Sequence, residues 1–256
     1  MSDPEIATKA PESDADEGGL GEHCTSDRPL LSSDTEAAGT IGKLGDIDTY
    51  ITKPASYPSV PAPLLLLLTG GTGIHSPNNQ RQADKYASAG FVVIMPDQFA
   101  KEDTPTAPSL LESIKLKAVE AAKSFLIDMW LARQTPEKVL PRLRKVLEAA
   151  REEYADCLAR SGGAIYAAGY CFGAKADVKG IKAPVSIVAV ENDPLFPDEI
   201  LEIGRKHLAA SAISHEVKVY PGVPHGFAVL GDYADPHIQE QQEKAFEQML
   251  GWLKSH

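Results

Sequence analysis

Cysteine is scarce in this chain. It carries three, Cys24, Cys157 and Cys171, with no C-x-x-C spacing and one left over from any pairing. Neither a disulfide framework nor a zinc site is indicated, and free thiols fit a reducing interior. Long apolar runs are lacking too. Leu64 to Leu68 falls far short of the ~20 residues that a membrane-spanning helix needs. Basic residues are outnumbered, 25 Lys and Arg against 36 Asp and Glu, and gather in no patch, so nucleic acid is not an expected partner. The first residues are acidic rather than basic and apolar, unlike a secretory signal or transit peptide, and a cytoplasmic location is expected.

The net charge of −11 is unevenly spread. Residues 1–36 hold ten acids against Lys9 and Arg28, which accounts for eight of those charges. The acidity belongs to a tail and says little about a substrate. Residues 1–22, rich in Asp, Glu, Ser, Ala and Gly without apolar periodicity, are expected to be disordered. Residues 23–256 then form one domain, for which a hydrophobic share of 43% supports a sizeable core.

From about residue 41 strands and helices alternate. Ile47 to Ile51 has the pattern of a half-buried strand, and Leu64 to Leu68 that of a fully buried one. Asn79 to Ala89 is expected to be helical and closed by Gly90, with Phe91 to Met95 as the next buried strand. Leu111, Ile114, Ala118, Ala122, Phe125, Leu126 and Met129 recur at helical spacing. Thr135-Pro136 marks a second helix start, with the helix running on to about Arg160. Strands are expected at Ala164 to Ala168 (buried), Val185 to Val190 and His215 to Tyr220. A last helix carries Phe246, Met249, Leu250 and Leu253 on the face that packs on the sheet. Such alternation predicts a mostly parallel α/β sheet flanked by helices.

The chemistry centres on Gly169-Tyr170-Cys171-Phe172-Gly173, a thiol version of the G-x-S-x-G nucleophile elbow, placed directly after a strand. A nucleophile on a strained strand-to-helix turn leaves no room for side chains two positions either side of it. An elbow nucleophile needs a base, and the base an orienting acid, in loops after later strands. Asp193 follows the strand ending at Val190, and His225 follows the one ending at Tyr220. An oxyanion needs two N–H donors, one from the residue after the nucleophile, Phe172. Thr69-Gly70-Gly71-Thr72-Gly73, directly after Leu68, suits the second, Gly71. A phosphate loop is excluded there because no Gly-Lys-Ser/Thr follows.

With Leu64 to Gly73, Met95-Pro96-Asp97, Gly169 to Ala174, Glu191 to Pro197 and Pro224 to Phe227 taken together, the chain resembles the dienelactone hydrolase family, its fungal members above all. The resemblance runs from about His23 to the C-terminus. It implies an α/β-hydrolase fold, a Cys171–His225–Asp193 triad and hydrolysis of a carboxylic ester or lactone through a thioester, with no metal or cofactor. The partner would be that small-molecule substrate, and the protein a monomer or homodimer. A thioester-dependent acyltransferase, or a catalytically impaired protein with a binding role, is the alternative. Two departures stand out. The family's lactone-cleaving members resemble one another in a Glu beside the oxyanion loop and in arginines for the substrate carboxylate. The matching positions here are Gly70, Lys101 and Val229, which leaves Lys101 as the one candidate substrate-binding cation and forfeits bidentate geometry. Eleven residues, Ala174 to Pro184, separate the elbow from the acid-bearing strand. A parallel crossover takes a dozen or more residues, so a helix and a strand, roughly thirty residues, are expected to be missing between Ala176 and Asp177. That loss, in a splice form or a mistaken gene model, is expected to lower stability and to displace Asp193.

Overall fold

The computed structural model describes Asp27 and residues 37–99, 133–174, 180–193 and 195–256, with the Phe172 side chain excluded. The tail over residues 1–22, the helix around Leu111 to Met129, and Lys101 lie outside them.

Strands β1 (Thr40–Leu44) and β2 (Ile47–Thr52) form an antiparallel hairpin. Its turn, Gly45-Asp46, has positive φ at both residues (55° and 70°), as a two-residue turn matched to strand twist requires. The sequence pattern left β1 unassigned. Burial of β2 also exceeds expectation: Ile47, Thr49, Tyr50 and Thr52 are all buried, because β2 lies between β1 and β4 (Val92–Pro96). Strand β3 (Leu64–Leu68) runs parallel to β4 on one side and to β5 (Tyr166–Gly169) on the other. The five strands order as β1-β2-β4-β3-β5.

Helix α1 (Pro77–Ser88) joins β3 to β4. Ser76 caps it by accepting from the Asn79 N–H, Pro77 takes the first position, and Gly90 (φ 105°) follows its end. The helical span expected from Thr135-Pro136 to Arg160 is two helices, α2 (Pro136–Glu153) and α3 (Ala155–Arg160). They break at Tyr154 (φ −116°, ψ 39°), which buries its ring beside Val146, Ala150 and Cys157. No Gly or Pro announces that break, so tertiary packing decides it.

Alternation along β3 and β4 divides the core. Leu65, Leu67, Val93 and Met95 face α1 and the last helix, α5 (Pro236–Ser255), whose Phe246 and Leu253 complete that layer. Leu64, Leu66, Val92 and Ile94 face α2 and α3.

Among the described residues the sheet ends at β5, and strand β6 (Val185–Val190) pairs in parallel with β7 (His215–Tyr220) alone; the helix between them, α4 (Asp198–Ala210), escaped the sequence reading. Among the described residues no strand lies between β5 and β6, as the short connection leads one to expect. Strand β5, expected to be buried, is an edge strand among the described residues, with Ala167 exposed and only Ala168 fully buried. Helix α5 spans the interruption: Gln248 donates to Ser186 Oγ (2.9 Å) and Ile187 O (3.4 Å) and accepts from Tyr220 OH (2.8 Å). No described helix is long and apolar enough to cross a membrane.

Candidate active site

Cys171 leaves β5 at φ 51°, a left-handed conformation that non-glycine residues rarely hold, and enters a tight 3-10 turn, Cys171–Ala174. The flanking glycines make this possible. A Cβ at Gly169 would lie well inside 3.0 Å of the Gly173 carbonyl, and one at Gly173 equally close to the Leu68 carbonyl. Both obstacles are backbone, which does not rotate out of the way. Tyr170, just before the thiol, is pinned by a 2.8 Å bond between its hydroxyl and that of Tyr86. Burial of the two rings pushes the Tyr86 phenol up to about 12.

Asp193 and His225 meet on the same side. Asp193 is buried. Its Oδ1 accepts from the Leu195 N–H (2.8 Å), and its Oδ2 lies 2.7 Å from His225 Nδ1. Across the shortened connection Asp193 still meets His225, because the two loops leave the directly paired strands β6 and β7. Burial alone would raise its carboxyl, but the hydrogen bond and charge of His225, with the Leu195 and Phe196 N–H groups, hold it below the usual value. His225 follows β7 on a loop turned by Gly222 (φ 67°) and Gly226 (φ 81°). Phe227 anchors the loop, its ring 5.3 Å from that of Tyr220, and Gln242 donates to the carbonyls of Phe227 (2.9 Å) and Val229 (2.8 Å). Burial would lower the imidazole, yet hydrogen bonding to Asp193 and Cys171 and the charge of both raise it to about 9.

The glycine loop after β3 abuts the thiol. A Cβ on Gly70 would stand 3.1 Å from Cys171 Cβ and 3.6 Å from its sulfur. The Thr69 carbonyl accepts from the Gly173 N–H (3.1 Å), which stitches loop to elbow. Gly71 is next along that loop, and the Phe172 N–H follows the nucleophile in the 3-10 turn. Val229, at one of the family's arginine positions, packs half-buried against the core. Two residues of this region went unnoticed in the sequence: Asn79 and Gln98, both buried and both donating to the glycine loop. Polar residues just after a helix cap and just after a strand were the available signal. Among the described residues no group of three His, Cys, Asp or Glu side chains is arranged to hold a metal ion.

The model of the dienelactone hydrolase family matches residues 47–181 and 175–256, breaking where the chain passes from the elbow towards β6. The hydrolase pyvD of Aspergillus violaceofuscus is 27% identical over 245 residues, covering 86% of this chain and 91% of its own. That span exceeds the residues this chain contributes to it, so the relative holds residues that this chain lacks. Among solved structures, an esterase of Thermogutta terrifontis superposes with a TM-score of 0.53 at 15% identity, covering 87% of this chain and 98% of its own. A dienelactone hydrolase-like promiscuous phosphotriesterase from metagenomic libraries gives 0.54 at 15% identity, with 84% and 98% covered. Two matches of one family model, which together take in nearly everything after residue 46, show that this chain belongs to the dienelactone hydrolase family.

Proposed function

We propose that this chain hydrolyses a carboxylic ester or lactone through Cys171, His225 and Asp193. The observation that carries the reading is the 2.7 Å contact between His225 Nδ1 and Asp193 Oδ2 beside a cysteine held at φ 51°. His225, oriented by Asp193, takes the thiol proton. The thiolate attacks the carbonyl, and the N–H groups of Phe172 and Gly71 receive the oxyanion, each donor worth about 3 kcal/mol of barrier. The imidazolium then protonates the departing alkoxide, leaving a thioester on Cys171. Water, deprotonated by His225, cleaves the thioester and restores the thiol. With Gly70 and Val229 at positions where lactone-cleaving relatives carry Glu and Arg, an ester or lactone without a carboxylate handle fits better than the family's reference substrate. Lys101 remains a candidate for substrate binding.

Iodoacetamide labelling tests the nucleophile. Cys171 should react much faster than buried Cys157 and faster than Cys24, with a pH profile below the ordinary thiol value of about 8.5, and should slow at least tenfold in His225→Ala. Equal, slow labelling at all three would leave a binding protein on a hydrolase fold. Aryl acetate turnover with and without an added acyl acceptor separates hydrolysis from acyl transfer.

A further inference from the structure

We propose that Asn79 and Gln98 are positioning residues that aim the Gly71 N–H at the carbonyl reacting on Cys171; this rests on the ester- or lactone-cleaving reading above. A trans peptide ties the direction of each N–H to that of the carbonyl before it, on the opposite side of the plane. The Gly70 carbonyl accepts from the Gly73 N–H at 3.3 Å, closing a turn over residues 70–73. The Gly71 N–H is thereby turned out of that turn, next to a Gly70 Cα that lies against Cys171. Nothing within Gly70 or Gly71 itself enforces this. Glycine occupies more of φ/ψ space than any other residue, so the shared peptide could flip and present a carbonyl instead.

The restraint comes from outside the loop, at both of its ends. Asn79, 3% exposed on the first turn of α1, donates through Nδ2 to Thr72 Oγ1 (2.9 Å) and to the Gly73 carbonyl (2.8 Å). Its own N–H is held by Ser76 Oγ at 3.1 Å, so the helix cap fixes where the amide stands. Gln98, 1% exposed just after β4, donates through Nε2 to the Thr69 carbonyl (2.8 Å), the same oxygen that accepts from the Gly173 N–H. Its turn is braced in its own right: Arg142 donates to the Asp97 carbonyl from Nε (3.2 Å) and Nη2 (3.0 Å). Loop, first helix, β4 exit and elbow are thus locked through two amide side chains. Buried amide donors are costly to leave unpaired, which makes the lock rigid.

The test separates oxyanion formation from thiol reactivity. Acylation by an aryl acetate passes through an oxyanion, whereas alkylation by iodoacetamide displaces halide at carbon and forms none. Asn79→Asp and Gln98→Glu should lower kcat for the aryl acetate roughly tenfold to a hundredfold, below the full loss of a donor. KM should change little, and the rate and pH profile of Cys171 alkylation should stay at wild-type values. Thr72→Val should lose kcat in the same way, while Thr72→Ser, which keeps the accepting hydroxyl, should retain it. These Thr72 variants alter a half-buried surface position and keep the test independent of folding. Unchanged kcat in Asn79→Asp and Thr72→Val overturns the proposal. So does a parallel fall in kcat and alkylation, which marks a merely structural role. Failure of the catalytic reading looks different: slow Cys171 alkylation in the wild type, indifferent to His225→Ala, removes the nucleophile itself.

Discussion

His225 and Asp193 move each other's protonation in opposite directions, and the signs give a pH signature. The imidazole is raised from 6.5 to about 9, so the stability it contributes is fully present below 6.5 and is lost as pH rises through about 9. The carboxyl is lowered, so its contribution is present above the ordinary carboxylate range and fades only as pH falls through the lowered value. The difference in unfolding free energy between wild type and His225→Gln should therefore shrink between pH 6.5 and 9.5 in denaturant titrations. A difference independent of pH over that interval contradicts the assignment. At this scale much of the candidate site was legible in advance. Cys171, Asp193 and His225 each follow a strand at a short offset, and strand ends are visible as apolar runs. Asn79 and Gln98 were not legible, because an amide's use depends on which carbonyl packs against it from a distant part of the chain.

Among the elements, the elbow is the one most tightly specified by local sequence. Gly169→Ala would push a Cβ into the Gly173 carbonyl, carbon and the Ala174 nitrogen, all backbone. Overpacking of this kind costs about 1–3 kcal/mol, and relief by shifting the turn would move Cys171 as well. Thermal melting should fall accordingly, and iodoacetamide labelling of Cys171 should lose its His225 dependence. A variant with wild-type melting and labelling would mean that the elbow is looser than it stands. Helix α1 was readable from Gly90 at its end, because a stop glycine is local chemistry, while its start at Ser76-Pro77 comes two residues before the expected Asn79. The break at Tyr154 was hidden, because a buried tyrosine ring, not a breaker residue, interrupts the helix.

For the whole molecule the defining feature is a sheet in two parts, β1-β2-β4-β3-β5 and β6-β7, held together through α5. Phe246 and Leu253 of α5 pack in the first part's core, while Ala245 and Ile238 pack with Tyr220 and Phe227 in the second. Strand β6 has only Ala189 fully buried, and α4 leaves Ile200 and Ile203 half exposed. Apolar area left in water is stability forgone, at about 25 cal/mol per Å². Inserting the intervening segment of a family relative between Ala176 and Asp177 should raise the denaturant midpoint. It should also raise the m-value, which scales with the surface exposed on unfolding. Equal midpoint and m-value in the two forms would show that the two-part sheet is complete as it is.

By itself the sequence determined the α/β class, the strands that lead into the glycine loop and the elbow, and the candidates for thiol, acid and imidazole. These rest on local physics: apolar periodicity, helix caps, and glycines where backbone approaches backbone. Tertiary structure decided the rest. It placed Asp193 against His225 across the shortened connection, because the loops that carry them leave the directly paired strands β6 and β7. It also set the direction of the glycine loop's peptides, since glycine has no preference of its own and takes its conformation from Asn79 and Gln98, which only the fold brings to it.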